Sequence, residues 1–425
     1  MASILNSFFR KLRIGDFGKV LIRFSSAQIV TNFLGMLAGF LVVRILEPSL
    51  YGQFTGVGVY MGYILLGHFG ILNGLNRELP YELGRKNDDY AKKLASSSFV
   101  LTSLLCGIAA LVFLVFSLIH FSRGETLTGF IYLSYVLIGG LYLFNKQFLT
   151  SLYRTNNDFD SLAKQNVYVG IGNLVSVVLV YLFHMYGLLL RGVFLALLEF
   201  YLLMKHKPYQ LSFKYKIDHL KKLFRTGFPI FLVGQVNSIW VTVMNTLIFN
   251  IGGALNFGLY ALCNIIQGMM GVIPASFGQV IYPRMSIMLG EGKSVRYILK
   301  TNIKPLFFQF GLMLSVAIIG ALLIQPVISW LLPKYINGVE AARWMLFVPA
   351  AQSFGALNNI YNVIKKQTWY FVSLVTGALV GSVYVYLTYR VRGFELAIFP
   401  KGLLLGTIVQ QVMSLLFLRT LKNDD

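Results

Sequence analysis

The stretch Ala95–Ile119, ASSSFVLTSLLCGIAALVFLVFSLI, carries no charged residue and begins just after Lys92-Lys93. A helix rises about 1.5 Å per residue, so about 20 apolar residues cross the hydrocarbon core of a bilayer. Runs of this kind, bounded by charge, Gly or Pro, recur along the whole chain. The first half is expected to span at 20–43, 54–73, 95–119, 129–152, 166–186 and 187–204. The second half repeats the count at 227–251, 257–282, 305–331, 344–364, 369–388 and 396–418. The fifth and sixth runs merge almost without a break around Met185-Tyr186-Gly187, where the split is set at 186/187.

The composition agrees. Of 425 residues 56% are hydrophobic and 12% charged, and the mean hydropathy is +0.67. A soluble chain of this length needs a largely polar exterior that these residues cannot supply. The fold class expected is therefore an all-α polytopic membrane protein with twelve transmembrane helices. Cys106 and Cys263 both fall in apolar runs and read as small buried hydrophobes, neither a disulfide framework nor a metal site.

The 37 Lys and Arg outnumber 16 Asp and Glu, for a net charge of +21. They sit mostly in short segments between apolar runs, which reads as a topology signal and not as a nucleic-acid surface. With the N-terminus placed inside, 28 fall on the inner side, 8 on the outer side and Lys146 within a span. That bias puts both termini in the cytoplasm. No cleavable signal is expected; the first 19 residues read as a basic amphipathic segment on the inner surface.

Sliding the sequence by 206 positions lays Leu50-Tyr51-Gly52-Gln53-Phe54 on Asn256-Phe257-Gly258-Leu259-Tyr260, and Lys19 on Arg225. The chain then divides into a lobe over 1–204, a basic linker over 205–226 and a lobe over 227–425. Six spans per half make the repeats parallel, an arrangement that transporters use.

No catalytic apparatus is legible. There is no G-x-x-x-x-G-K-[ST], H-E-x-x-H or G-x-S-x-G, and the outer loops are short, so neither an enzyme, a cofactor nor a metal site is expected. Function must lie in polar groups inside the bilayer, which are costly there. Lys146 is the most telling, in Leu143-Phe144-Asn145-Lys146-Gln147, about two turns from Arg154 and too deep to snorkel with ease. Arg23, Arg44 and Arg191 lie near span ends, and Arg77 follows the second span. Glu199, the carboxylate well inside a span, reads as a proton or cation site or as the partner of a cavity cation. Asn145, Gln28 with Asn32, and Gln235 with Asn245 are amides suited to lining a cavity or to bonding between helices. His68 and His184 read as packing or hydrogen-bonding residues.

The segments Arg44-Ile45-Leu46-Glu47-Pro48-Ser49-Leu50-Tyr51-Gly52-Gln53-Phe54, Gly70-Ile71-Leu72-Asn73-Gly74-Leu75-Asn76-Arg77-Glu78-Leu79-Pro80 and Phe257-Gly258-Leu259-Tyr260 resemble the polysaccharide repeat-unit flippases, the Wzx-type O-antigen transporters of the MOP superfamily. The resemblance implies two pseudo-symmetric six-helix lobes around a central cavity. It further implies transport of an undecaprenyl-pyrophosphate-linked oligosaccharide from the cytoplasmic to the outer leaflet of a bacterial inner membrane. The partners implied are that polyprenyl-pyrophosphate-linked oligosaccharide, membrane lipid, and the polysaccharide polymerase and chain-length proteins of lipopolysaccharide assembly; nucleic acid is not among them. A planar guanidinium and a lysine point charge suit pyrophosphate, so Lys146, Arg23 and Arg191 are the expected headgroup ligands.

Rival readings remain, including a non-transporting membrane scaffold, which gives no reason for Lys146. The cation-coupled multidrug exporters of the same superfamily share the architecture but commonly carry an acidic residue in the first helix, and 20–43 has none. A lipid-linked-sugar polymerase or ligase is disfavoured by the short outer loops.

Overall fold

The computed structural model describes residues 16–156, 158–364 and 366–421. The basic segment expected over the first 19 residues lies mostly outside them. Every described element is helical. The first half comprises α1 (Asp16–Ile45), α2 (Pro48–Ile64), a 3-10 turn (Leu65–His68), α3 (Ile71–Gly84), α4 (Asp88–Ser122), α5 (Thr126–Leu141), α6 (Leu143–Thr155), α7 (Phe159–Val175) and α8 (Val177–Lys205). The second comprises α9 (Ile217–Leu259), α10 (Ala261–Gly290), α11 (Val295–Leu331), α12 (Val339–Met345), α13 (Phe347–Ala351), a 3-10 segment (Gln352–Asn358), α14 (Asn359–Val363), α15 (Gln367–Arg392) and α16 (Ile398–Leu421).

All twelve expected spans fall on helix. Among the described residues eight helices are long and apolar enough to cross a bilayer singly, and the bent pair α2 and α3 makes a ninth. The fifth, eighth and tenth are the shorter or interrupted ones. Outward-facing apolar side chains confirm the solvent: Leu111 on α4 is 60% exposed and Leu322 on α11 is 74% exposed, positions that water would not favour. Cys106 and Cys263 are free and buried, as expected.

The breaks in the helices repeat with the sequence. Lys86 (φ 58) at the α3–α4 turn falls on Gly292 (φ 74) at the α10–α11 turn when the chain is shifted by 206. Glu47, between α1 and α2, falls likewise on Gly253, where α9 reverses at φ 76 and ψ 174. Glycine adopts that geometry without a Cβ penalty.

Several expected spans are not single rods. The fourth breaks at Tyr142 (φ −114, ψ −38), just after Gly139-Gly140. The tenth divides into α12, α13, a 3-10 segment and α14, with Pro349 unable to donate its share of the ladder. The second bends by 51° at Phe69-Gly70, both in left-handed backbone.

The fifth and sixth spans part at His184 (φ 49, ψ −118), two residues before the expected 186/187 boundary. A Cβ on Gly187 would stand 1.9 Å from the Leu179 carbonyl oxygen. Eight residues along a straight helix cover about 12 Å, so the chain has folded back here. Gly187 is thus the residue pressed against the returning helix, and His184 is the pivot.

Two compact units are present. The described residues up to Ile45 with Met61–Leu232 form unit 1, and Leu46–Tyr60 with Val233 onward form unit 2. In unit 1, Leu72, Leu75, Leu79, Leu94, Phe148 and Leu152 build a core against Leu223 at the start of α9. Glycine permits that packing: a Cβ on Gly74 would lie 2.0 Å from the Leu223 carbonyl oxygen. Polar bonds tie the same region down. The Lys222 amine reaches Glu78 at 3.2 Å and Glu82 at 3.0 Å, and His219 pairs with Ser97 at 3.0 Å.

Unit 2 has its own glycine contact, Gly258 on α9 against the Pro48 carbonyl, and a core around Met285, Ile298, Leu306, Leu357 and Ile360. A neutral network is buried beside it. Asn358 donates to Gln411 at 3.3 Å and accepts from the Ser414 hydroxyl at 2.5 Å, while the Tyr361 hydroxyl donates to the Ser414 carbonyl at 2.6 Å.

Candidate functional site

The break at Tyr142 starts α6, and one turn later on the same face comes Lys146, whose backbone N–H still bonds the Tyr142 carbonyl at 2.8 Å. The ammonium meets Glu199 of α8 at 3.0 Å to Oε1 and 3.2 Å to Oε2. The Tyr142 phenol closes the triangle, accepting from Lys146 and donating to Glu199. Lys146 is 43% exposed and Glu199 only 16%. A charged pair within the spans is costly against hydrocarbon, so its open side faces protein or water. The triangle holds one positive and one negative charge together with a phenol that can pass a proton between them.

A second group of polar pairs follows the seam between α1 and α7. Arg23 lies 4.0 Å from Asp160, both half exposed. One turn and more along, Asn166 donates to Gln28 at 3.0 Å, and Gln28 donates in turn to Asn32 at 3.1 Å. Further still, Asn173 accepts from the Arg191 guanidinium of α8. Gly170 makes the seam tight, since a Cβ there would stand 3.2 Å from both Thr31 and Leu34. Residues 160, 166 and 173 of α7 thus meet 23, 28 and the region of Gly35 on α1, in parallel order.

Of the expected site residues, Lys146 and Glu199 are joined directly, and Arg23, Gln28, Asn32 and Arg191 share the α1–α7–α8 seam. Asn145 is buried beside Lys146 and donates to the Leu141 carbonyl at 3.4 Å. Arg44 is exposed in the last turn of α1 and Arg77 is exposed on α3; neither has an ion-pair partner among the described residues. Gln235 belongs to unit 2, partly exposed on α9. His68 accepts the Gly70 N–H at 3.0 Å and packs on Phe231, in keeping with a packing role.

Tyr142, Asp160, Asn166 and Asn173 escaped the sequence reading. The amides could have been found, because Asn166 and Asn173 are seven apart and so share a helix face inside an apolar run. Among the described residues no cluster of three or more His, Cys, Asp or Glu could hold a metal.

Comparison with known proteins agrees with this architecture. The family described as "Polysaccharide biosynthesis protein" matches residues 18–289. No curated protein matches the chain. Among solved structures, the inward-facing conformation of a multidrug resistance MATE family transporter of the MOP superfamily superposes with a TM-score of 0.64 at 17% identity, covering 93% of this chain and 98% of that one. The outward-facing conformation of such a transporter gives 0.62 at 18%, covering 96% and 97%. A MOP superfamily transporter from Pyrococcus furiosus, whose binding pocket is described as reversed in polarity and suggestive of a different function, gives 0.60 at 19%, covering 96% of each chain.

Proposed function

Because the chain belongs to the polysaccharide biosynthesis protein family and has the MOP-superfamily fold, we propose that it is a flippase for an undecaprenyl-pyrophosphate-linked oligosaccharide, an O-antigen or other polysaccharide repeat unit. Family and fold point to a transporter and not to an enzyme. The observation that carries the cargo assignment is the Lys146–Glu199–Tyr142 triangle beside the amide and arginine seam of unit 1.

The triangle suits a headgroup exchange. A pyrophosphate brings more negative charge than one carboxylate, so it competes with Glu199 for the Lys146 ammonium. Tyr142, which already donates to Glu199, keeps that carboxylate hydrogen-bonded once its cation is drawn away. Arg191 and Arg23 add guanidinium forks, and Gln28, Asn32, Asn166 and Asn173 offer donors and acceptors to sugar hydroxyls. The polyprenyl tail needs no protein pocket, because lipid already solvates it. Alternating access then delivers the headgroup to the opposite leaflet. In this reading the membrane is the bacterial inner membrane, the termini are cytoplasmic, and the polymerase and chain-length proteins act downstream.

The test is a proteoliposome assay in which the lipid-linked oligosaccharide starts in one leaflet and its arrival in the other is read by accessibility to an added glycosidase. The intact protein should carry it, and K146A and R191A should slow it. Transport of lipophilic cations without the lipid-linked sugar would instead favour a multidrug exporter. Undiminished flipping by K146A would remove Lys146 from the site.

A further inference from the structure

Unit 2 contains a cavity of about 710 Å³ where the end of α11 meets α12 and the first turns of α16. Its wall is mainly apolar, with Ile336, Phe347 and Leu404, but it also holds Gln325, Glu340 and Arg343. The volume falls in the range of about 300–1,000 Å³ typical of small-molecule sites.

Its charges are unevenly matched. Arg343 donates through Nε to the Ala321 carbonyl at 3.1 Å and through one terminal nitrogen to Gln325 at 3.2 Å. Both acceptors are neutral, and among the described residues no carboxylate pairs with it. Glu340, one helical turn earlier, is engaged instead by Lys401 at 3.3 Å, whose ammonium also lies over the Trp344 ring at 5.1 Å. The cavity rim therefore carries a net positive charge, with the guanidinium held in place and donors to spare.

We propose that this cavity binds an anionic phospholipid, with the phosphate on Arg343 and the glycerol and upper acyl chains along Ile336, Phe347 and Leu404. The chemistry of the cavity favours that occupant. A guanidinium fixed by neutral groups is complementary to a phosphate. A basic pocket between spanning helices can hold an anionic headgroup. The helix ends here also carry the aromatic side chains of the interface, Trp330 at 81% exposure and Trp344 at 38%. Leu322 and Leu323, exposed on α11 next to the lining residue Ala321, leave apolar surface beside the cavity for acyl chains. None of this depends on which cargo the protein moves.

The experiment uses the full-length protein in nanodiscs of phosphatidylcholine, alone or mixed with phosphatidylglycerol, with bound lipid counted by native mass spectrometry and thermal unfolding followed in parallel. Phosphatidylglycerol should be retained preferentially and should raise the unfolding midpoint. R343Q should weaken that retention about tenfold, as expected for the loss of one charge-assisted contact. E340Q removes a negative charge from the cavity lining and should strengthen it, which keeps the proposal testable even where R343Q folds poorly. Equal retention of the two lipids, or an unchanged preference in R343Q together with no gain in E340Q, would overturn the site. Displacement of the phospholipid by glycerol phosphate at equal concentration would show an anion site in place of a lipid site. Displacement by polyprenyl phosphate but not by further phosphatidylglycerol would assign the cavity to the cargo.

Discussion

Units 1 and 2 are built from repeats of one pattern, yet they solve the problem of polar groups in a membrane differently. Unit 1 carries charge within its spans, in Lys146–Glu199 and in Arg191 bonded to Asn173. Unit 2 buries neutral groups, Asn358, Gln411 and Ser414, and its ion pairs among the described residues, Lys334–Glu47 and Lys401–Glu340, involve exposed partners in the connections and at helix ends. A shift of 206 makes the contrast explicit: Lys146 falls on Gln352, Arg23 on Pro229 and Gln28 on Gly234. The backbone plan is shared, and the chemistry is confined to one copy of it. Buried neutral amides stabilise a fold at modest cost, whereas a charge in a span needs a partner or a purpose.

The comparison can be attacked from both sides. The largest effect is expected at the triangle: E199Q leaves Lys146 without its counter-charge, and lipid-linked sugar flipping should fall by about one to two orders of magnitude, with stability lowered by up to about 3 kcal/mol after allowance for the open side of Lys146. The double variant K146Q/E199Q should regain much of that stability, measured by thermal unfolding, while transport stays low. If transport returns with stability, the triangle is a structural brace only.

Moving the charge to the other copy should be nearly as harmful. Q352K places an ammonium in the 3-10 segment of unit 2 with no carboxylate supplied for it, at a cost of about 2.5–3.5 kcal/mol on insertion scales. Denaturation in detergent would measure this, and an unaffected variant would mean that unit 2 already offers a hydrated space there.

Smaller losses are expected where unit 2 relies on neutral bonds. S414A removes the hydroxyl that Asn358 accepts and should destabilise by about 1–3 kcal/mol without altering the salt dependence of unfolding. The least effect belongs to E47Q. Its ion pair with Lys334 is short, at 2.7 Å, but both side chains are about half exposed, so the change should stay below about 1 kcal/mol and shrink further in salt.

The sequence revealed the spans well, because apolar runs bounded by charge are set by the thickness of a bilayer and not by tertiary detail. Lys146 stood out for the same reason. The partner of Lys146 was less visible. The sequence offers Glu199 as the partner of a cavity cation without saying which; the folded chain gives Glu199 to Lys146 and Arg191 to Asn173. Proximity along one helix is legible in a sequence; proximity across two is decided by helix rotation, which an all-round apolar surface does not specify. The 186/187 boundary missed for a related reason: Gly187 looks like a turn residue but serves close packing, while the turn itself falls on His184, which nothing in its composition marks.

The interruptions of the fourth and tenth spans bear on hydration. Where a helical ladder is cut, amide and carbonyl groups lose intrahelical partners, and acyl chains offer none in return. Such segments are stable only when turned away from lipid, so Tyr142 and the stretch Gln352–Asn358 face protein or a hydrated space rather than acyl chains. Deuterium should therefore enter the backbone at these two places long before it enters the unbroken length of α4.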